Sequence, residues 1–229
     1  MNKLVNYHIE DGNTLDETVT RNITALQEKG FDPENQTTLQ SCIADTTAKE
    51  KAQIKAEKDR EDKTAEQNTT VSETVDLIRK VRGAALTAYD TDKRTQALFN
   101  AGINKKVPTR TNGVRSECEY LSTVIPGREQ VLLKNGLVRE DINNIISASA
   151  RIVAVDKVQE DAKKLLKSAT EDRDLSVKAL KAIKKKIRNF VKTAYANNSV
   201  MLVQFEPMAR GRGGSSGDNT NTPPAPPAQ

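Results

Sequence analysis

His8 is the only histidine among the 229 residues, and Cys42 and Cys118 are the only cysteines. Those three side chains limit the acid-base, nucleophilic and metal chemistry open to the chain. A di-iron bundle takes a Glu-x-x-His pair from each of two helices, and a zinc protease takes His-Glu-x-x-His from one. A single histidine builds neither, and it lies in a polar stretch, residues 1–12, that reads as an arm outside the fold. Ser/His and Cys/His nucleophile pairs fail for the same reason. Cys42 and Cys118 lack Cys-x-x-Cys spacing and read as reduced thiols, one buried in a helix and the other at a helix start. The run "ARGRGGSSGDN" follows no strand and lacks the Gly-Lys-Ser/Thr ending of a phosphate loop. Glu57, Asp59, Glu61 and Asp62 alternate with Lys58, Arg60 and Lys63, the pattern of a solvated helix face with local ion pairs. The sequence therefore assigns no catalytic residue, no metal and no cofactor, and predicts a protein that is not an enzyme.

Charge is the chemical feature that remains. The first 112 residues carry 17 basic and 18 acidic side chains, whereas the other 117 carry 19 and 13. Much of that excess lies over 178–192, with no acid between Leu175 and Phe205. Lys181, Lys184, Lys185, Lys186, Arg188 and Lys192 are the residues that would contact an anion, on nucleic-acid phosphates or on an anionic lipid surface. The plainer alternative is that their long stems flank an apolar stripe and keep the helix soluble. Aromatics make up only 3% of the chain, which argues against a platform for stacking single-stranded bases. The function expected on balance is a structural or protein-interaction module, its partner another copy or an unidentified protein, with nucleic-acid binding through 178–192 as the alternative.

The elements that must hold these residues follow from an internal repeat. Shifted by 106 residues, the chain aligns with itself without a gap from Leu15/Leu121 to Phe99/Phe205, with identity at about one position in five. The pairs include Gly30/Gly136, Glu34/Glu140, Arg82/Arg188, Tyr89/Tyr195 and Phe99/Phe205. Gly30 and Gly136 fall where a first helix stops, and Glu34 and Glu140 fall in the first turn of the next. Leu15, Val19, Ile23 and Leu26 mark the first helix; Pro126-Gly127 interrupts its counterpart. Each copy reads as helix, Gly stop, long helix, break, third helix and short terminal helix. The first copy's long helix has a narrow Ala seam, and its end over 58–69 is expected to be solvated and mobile. The third helices run over about 71–89 and 177–195, and the Tyr and Phe pairs are expected to pack across the bundle ends.

The fold class predicted is all-α: two tandem antiparallel helical bundles, each of three longer helices and a short one, followed by a disordered tail. The boundaries expected are an N-terminal arm at 1–12, a first bundle at 13–103, a linker at 104–117, a second bundle at 118–207 and the Gly/Ser/Pro-rich tail at 208–229. Mean hydropathy is −0.64, and no apolar run reaches the length of a membrane span. Residues 1–12 also lack the apolar stretch of a secretory leader, so the cytoplasm is the expected compartment.

The turn at Gly30-Phe31 (Gly136-Leu137 in the second copy), the acidic helix start at Glu34 and Glu140, the long Ala/Lys-rich helix, the segment Ile78-Arg79 to Tyr89 and the closing "LFNAGI" together resemble a group of uncharacterised bacterial proteins. Those proteins are built from one all-helical domain of about a hundred residues. The resemblance covers nearly all of 13–207 and implies a helical fold, with no activity attached. The second copy departs from it at Phe205-Glu206-Pro207.

Overall fold

The computed structural model describes residues 2–102 and 106–209. Among them are eight helices and no strand: α1 Lys3–Arg21, α2 Ile23–Glu28, α3 Glu34–Ala88, α4 Lys93–Leu98, α5 Thr111–Val124, α6 Glu129–Lys134, α7 Arg139–Ala194 and α8 Ser199–Gln204. The fold is all-helical, and among the described residues no helix is long and apolar enough to cross a membrane. The bounds of α2 and α4, raised by 106, are those of α6 and α8.

Several local expectations are corrected. Residues 1–12 do not form an arm outside the fold. The side chain of Asn2 accepts the Leu4 N–H, capping a helix that starts at Lys3 and buries Val5, His8 and Ile9. The first helix does not run on through Leu26. The Asn22 amide donates to the Thr18 carbonyl at 2.9 Å, satisfying an end carbonyl, and α2 begins one residue later. α5 starts at Thr111, inside the expected linker, so Cys118 lies mid-helix and fully buried while Cys42 on α3 is half-buried. Pro126-Gly127 falls in the connection between α5 and α6, where Gly127 takes φ +82°.

The largest correction is to the long helices. α3 has 55 residues and α7 has 56, with no break before the expected third helices. α7 contains neither Gly nor Pro, and α3 only Gly83. The stretch 58–69 is dominated by good helix formers, and Lys63–Glu66 pairs one turn apart at 2.9 Å. It is also partnered: Gln67 donates to Asp156 at 2.6 Å and Gln159 to Thr64 at 3.4 Å.

Because the long helices do not break, the third segment of a copy cannot fold back on that copy's own first helix. The chain divides into two compact units whose bounds differ from the 13–103 and 118–207 expected from the sequence. The terminal unit takes residues 2–47 and 176–209 of the described chain; the central unit takes 48–102 and 106–175. In the terminal unit Leu15, Val19, Leu26, Phe31 and Leu39 pack with Leu180, Ile187, Val191 and Phe205. In the central unit Val71, Ile78, Val81 and Phe99 pack with Val114, Leu121, Leu132, Ile142, Ile145 and Ile152. Each such buried side chain contributes roughly 1.5–3 kcal/mol relative to exposure. Tyr89 stacks on Phe99 with centroids 6.0 Å apart, and the Tyr195 hydroxyl donates to the Ala25 carbonyl at 2.6 Å. Residues 103–105 of the expected linker and 210–229 of the expected tail lie outside the described residues. Met208, placed in the tail by its sequence, is held against α1 by hydrogen bonds to Tyr7 and Asp11.

Gly30 and Gly136 have φ of +85° and +102°, and a Cβ at either would meet nothing within 4 Å. The cost of a side chain there is purely conformational. Gly83 also faces open space, within a regular helix. Gly30→Ala and Gly136→Ala are therefore expected to destabilise by about 1 kcal/mol each, and Gly83→Ala to stabilise by a similar amount. Thermal unfolding followed by circular dichroism checks the opposed signs; three shifts of the same sign would refute the assignment.

Candidate functional site

The basic helix predicted over 178–192 is the end of α7, in the terminal unit, where it lies against α1 and the segment after α8. Lys181, Lys184, Lys185, Lys186, Arg188 and Lys192 separate into two kinds. Lys184 and Arg188 turn inward onto Asp11 of α1. Lys184 Nζ stands 2.8 Å from Asp11 Oδ2 and donates to the His8 carbonyl at 2.9 Å, with His8 Nδ1 at 3.5 Å. The Arg188 guanidinium grips Asp11 with two hydrogen bonds of 3.1 and 2.7 Å, while its Nε donates to the Phe205 carbonyl at 2.9 Å. Only 3% of the Asp11 side chain and 4% of that of Lys184 are exposed. Two of the six predicted contacts are thus turned into the fold.

Lys181, Lys185, Lys186 and Lys192 are exposed, and no ion pair joins any of them to a carboxylate among the described residues. Lys181, Lys185 and Lys192 are four and seven residues apart and share one helix face. That face forms a wall of an open cleft of about 360 Å³, floored by Lys184 and Arg188 and rimmed by Tyr7 and Pro207. Lys186 does not line it.

Asp11 also accepts the Met208 N–H at 2.9 Å, and Tyr7 donates to the Met208 carbonyl at 2.9 Å. The chain after α8 is thereby laid across α1 at the cleft's edge. Burial acts to raise the Asp11 carboxyl, but the hydrogen bonds from Arg188, Lys184 and Met208 outweigh it and hold the group down to about 2. Burial lowers the Lys184 ammonium below the usual lysine range despite its carboxylate partner. Elsewhere, burial and the neighbouring Glu117 push the Cys118 thiol up to about 12, and burial with Asp45 raises Cys42. Neither thiol is disposed toward the thiolate that nucleophilic chemistry requires.

Asp11, His8 and Tyr7 do not stand out in the sequence, because the polar composition of residues 1–12 is that of an arm. A signal for Asp11 was present in the repeat. Raising 11 by 106 gives Glu117, and the shared arginines Arg82 and Arg188 stand in the same register. In the central unit Arg82 binds Glu117 at 2.6 Å, the counterpart of Arg188 on Asp11. No protein-family model, curated protein or solved structure matches this chain.

Asp11 yields a prediction in acid. Its lowered carboxyl stabilises the folded state above the ordinary value of 3.8, and this contribution is lost as pH falls toward 2. Asp11→Asn leaves the buried Lys184 and the half-buried Arg188 without a carboxylate and is expected to cost about 3 kcal/mol at neutral pH. The gap from wild type should narrow by about 2 kcal/mol between pH 4 and 2. Urea denaturation at several pH values measures it; a gap constant across that window would show that Asp11 is not the group responsible.

Proposed function

We propose that this protein is a non-catalytic helical binding module, built from two copies of one helical unit, that contacts nucleic-acid phosphates through the end of α7. One observation carries the reading: Lys181, Lys185 and Lys192 stand exposed on one face of α7 with no carboxylate partner among the described residues. Point charges along a helix, without an apolar centre among them, suit a phosphate backbone better than a protein interface, whose core is depleted in lysine. The two-copy reading draws support from the matching bounds of α2 with α6 and of α4 with α8. The non-catalytic reading is supported by the raised thiols and by His8, 5% exposed and beside Lys184 in a packed helix contact.

Three phosphate contacts set the expected salt dependence. Affinity for duplex DNA should fall about 40-fold between roughly 50 and 200 mM salt. Lys181→Gln/Lys185→Gln/Lys192→Gln should abolish both the binding and its salt slope, while Lys186→Gln should leave them nearly unchanged. Fluorescence anisotropy with duplex and single-stranded oligonucleotides reads all of this. Absence of binding at about 50 mM salt would refute the nucleic-acid assignment and leave a protein as the partner.

A further inference from the structure

The two units provide a comparison within one chain. At an offset of 106, Lys184 corresponds to Ile78 and His8 to Val114; Ile78 and Val114 are both fully buried in the central unit. Asp11 and Arg188 correspond to Glu117 and Arg82, which form the same ion pair there. What the two units share is the arginine–carboxylate pair; beside it the central unit buries an apolar contact. The terminal unit keeps the pair and replaces the apolar contact with His8 and Lys184, 5% and 3% exposed. Lys181 and Lys192 likewise stand where the central unit has Val75 and Leu86.

This replacement changes the charge that is buried. Arg82 and Glu117 cancel, whereas the buried Lys184 and the half-buried Arg188 share one carboxylate, Asp11, and leave one positive charge in excess at the cleft. Two cations on one carboxylate, one of them buried, are unfavourable for folding, and Lys181 and Lys185, one turn apart, add like-charge repulsion. A concave, low-dielectric wall focuses such a field outward into the space it encloses. Here that space is the cleft of about 360 Å³, a volume that admits a small ligand.

We infer that the cleft over Asp11 is a binding site for a compact phosphate-class anion, held by Lys181, Lys185 and Lys192 above the fixed positive floor of Lys184 and Arg188. The inference uses the same lysines as the nucleic-acid reading but stands on a different observation, the His8–Lys184 pair that the central unit lacks. Free phosphate and a phosphate carried on a nucleic-acid end present the same chemistry to this site.

Isothermal titration calorimetry of the full chain with inorganic pyrophosphate tests the site. Saturable binding of one equivalent is expected. His8→Val/Lys184→Ile, which copies the central unit into the terminal one, is expected to keep a thermal midpoint at or above that of wild type and to lose at least about tenfold in affinity. Lys181→Gln/Lys185→Gln, which alters only exposed side chains, should lose as much, and Lys186→Gln should bind as wild type. No pyrophosphate binding at about 10 mM, or an equal loss in Lys186→Gln, would overturn the site in favour of a diffuse basic surface. Competition separates the sources: if a nucleic-acid end supplies the phosphate, a 5′-phosphorylated oligonucleotide displaces pyrophosphate and its 5′-hydroxyl twin does not; equal failure of both assigns a free anion. Salt-dependent duplex binding without pyrophosphate binding would sink the cleft and spare the nucleic-acid reading; pyrophosphate binding without duplex binding would do the reverse.

Discussion

Near the end of each long helix an arginine is gripped by a largely buried carboxylate from the opposite half of the sequence. Arg82 of α3 binds Glu117 of α5, and Arg188 of α7 binds Asp11 of α1. An arginine inside a helical unit is costly to desolvate unless its partner is placed to meet it, so these pairs constrain which helices pack together. The apolar cores agree with them. Ile78 and Val81 of α3 pack with Val114 and Leu121 of α5, and Leu180 and Ile187 of α7 pack with Leu15 and Val19 of α1. Hydrophobic burial drives the association, while the ion pair restricts its register, because a carboxylate displaced by one turn would leave two buried charges apart.

Around this shared element each unit is finished differently. In the central unit Asn100 donates to both Glu117 oxygens at 3.3 and 3.1 Å and accepts a φ of +50° to do so, a conformation asparagine tolerates better than most residues. In the terminal unit the carboxylate instead receives Lys184 and the Met208 N–H, and the Arg188 Nε goes to the Phe205 carbonyl. The departure of Phe205-Glu206-Pro207 from the first copy's Phe99-Asn100-Ala101 thus has a structural counterpart. The carboxylate is satisfied from the backbone beyond α8 rather than by an asparagine side chain.

The long helices show how little apolar surface an unbroken helix requires. Between Glu50 and Thr70 the seam of α3 is Gln53, Ala56, Arg60, Thr64 and Gln67, all half-buried. Polar groups take over what Leu and Ile do elsewhere: Gln67 bonds Asp156, and Arg173 lies 3.9 Å from Glu50, in the same register at an offset of 106. Helix propensity and paired polar groups suffice where neither Gly nor Pro intervenes.

The sequence by itself determined the helical class, the stops at Gly30 and Gly136, the burial of Phe99 and Phe205, and the concentration of lysine near the end of α7. These are local properties, set by backbone conformation, residue spacing and composition, and they need no knowledge of what packs on what. Tertiary structure alone decided that the long helices continue, that α1 meets Arg188 and α5 meets Arg82, and that residues near Lys3 belong to the fold. It also divided the basic residues into Lys184 and Arg188, turned inward onto Asp11, and Lys181, Lys185 and Lys192, left facing a cleft. The charge of a lysine is written in the chain, but whether it is spent depends on the position of a carboxylate more than 170 residues away in sequence, which only packing brings within 3 Å.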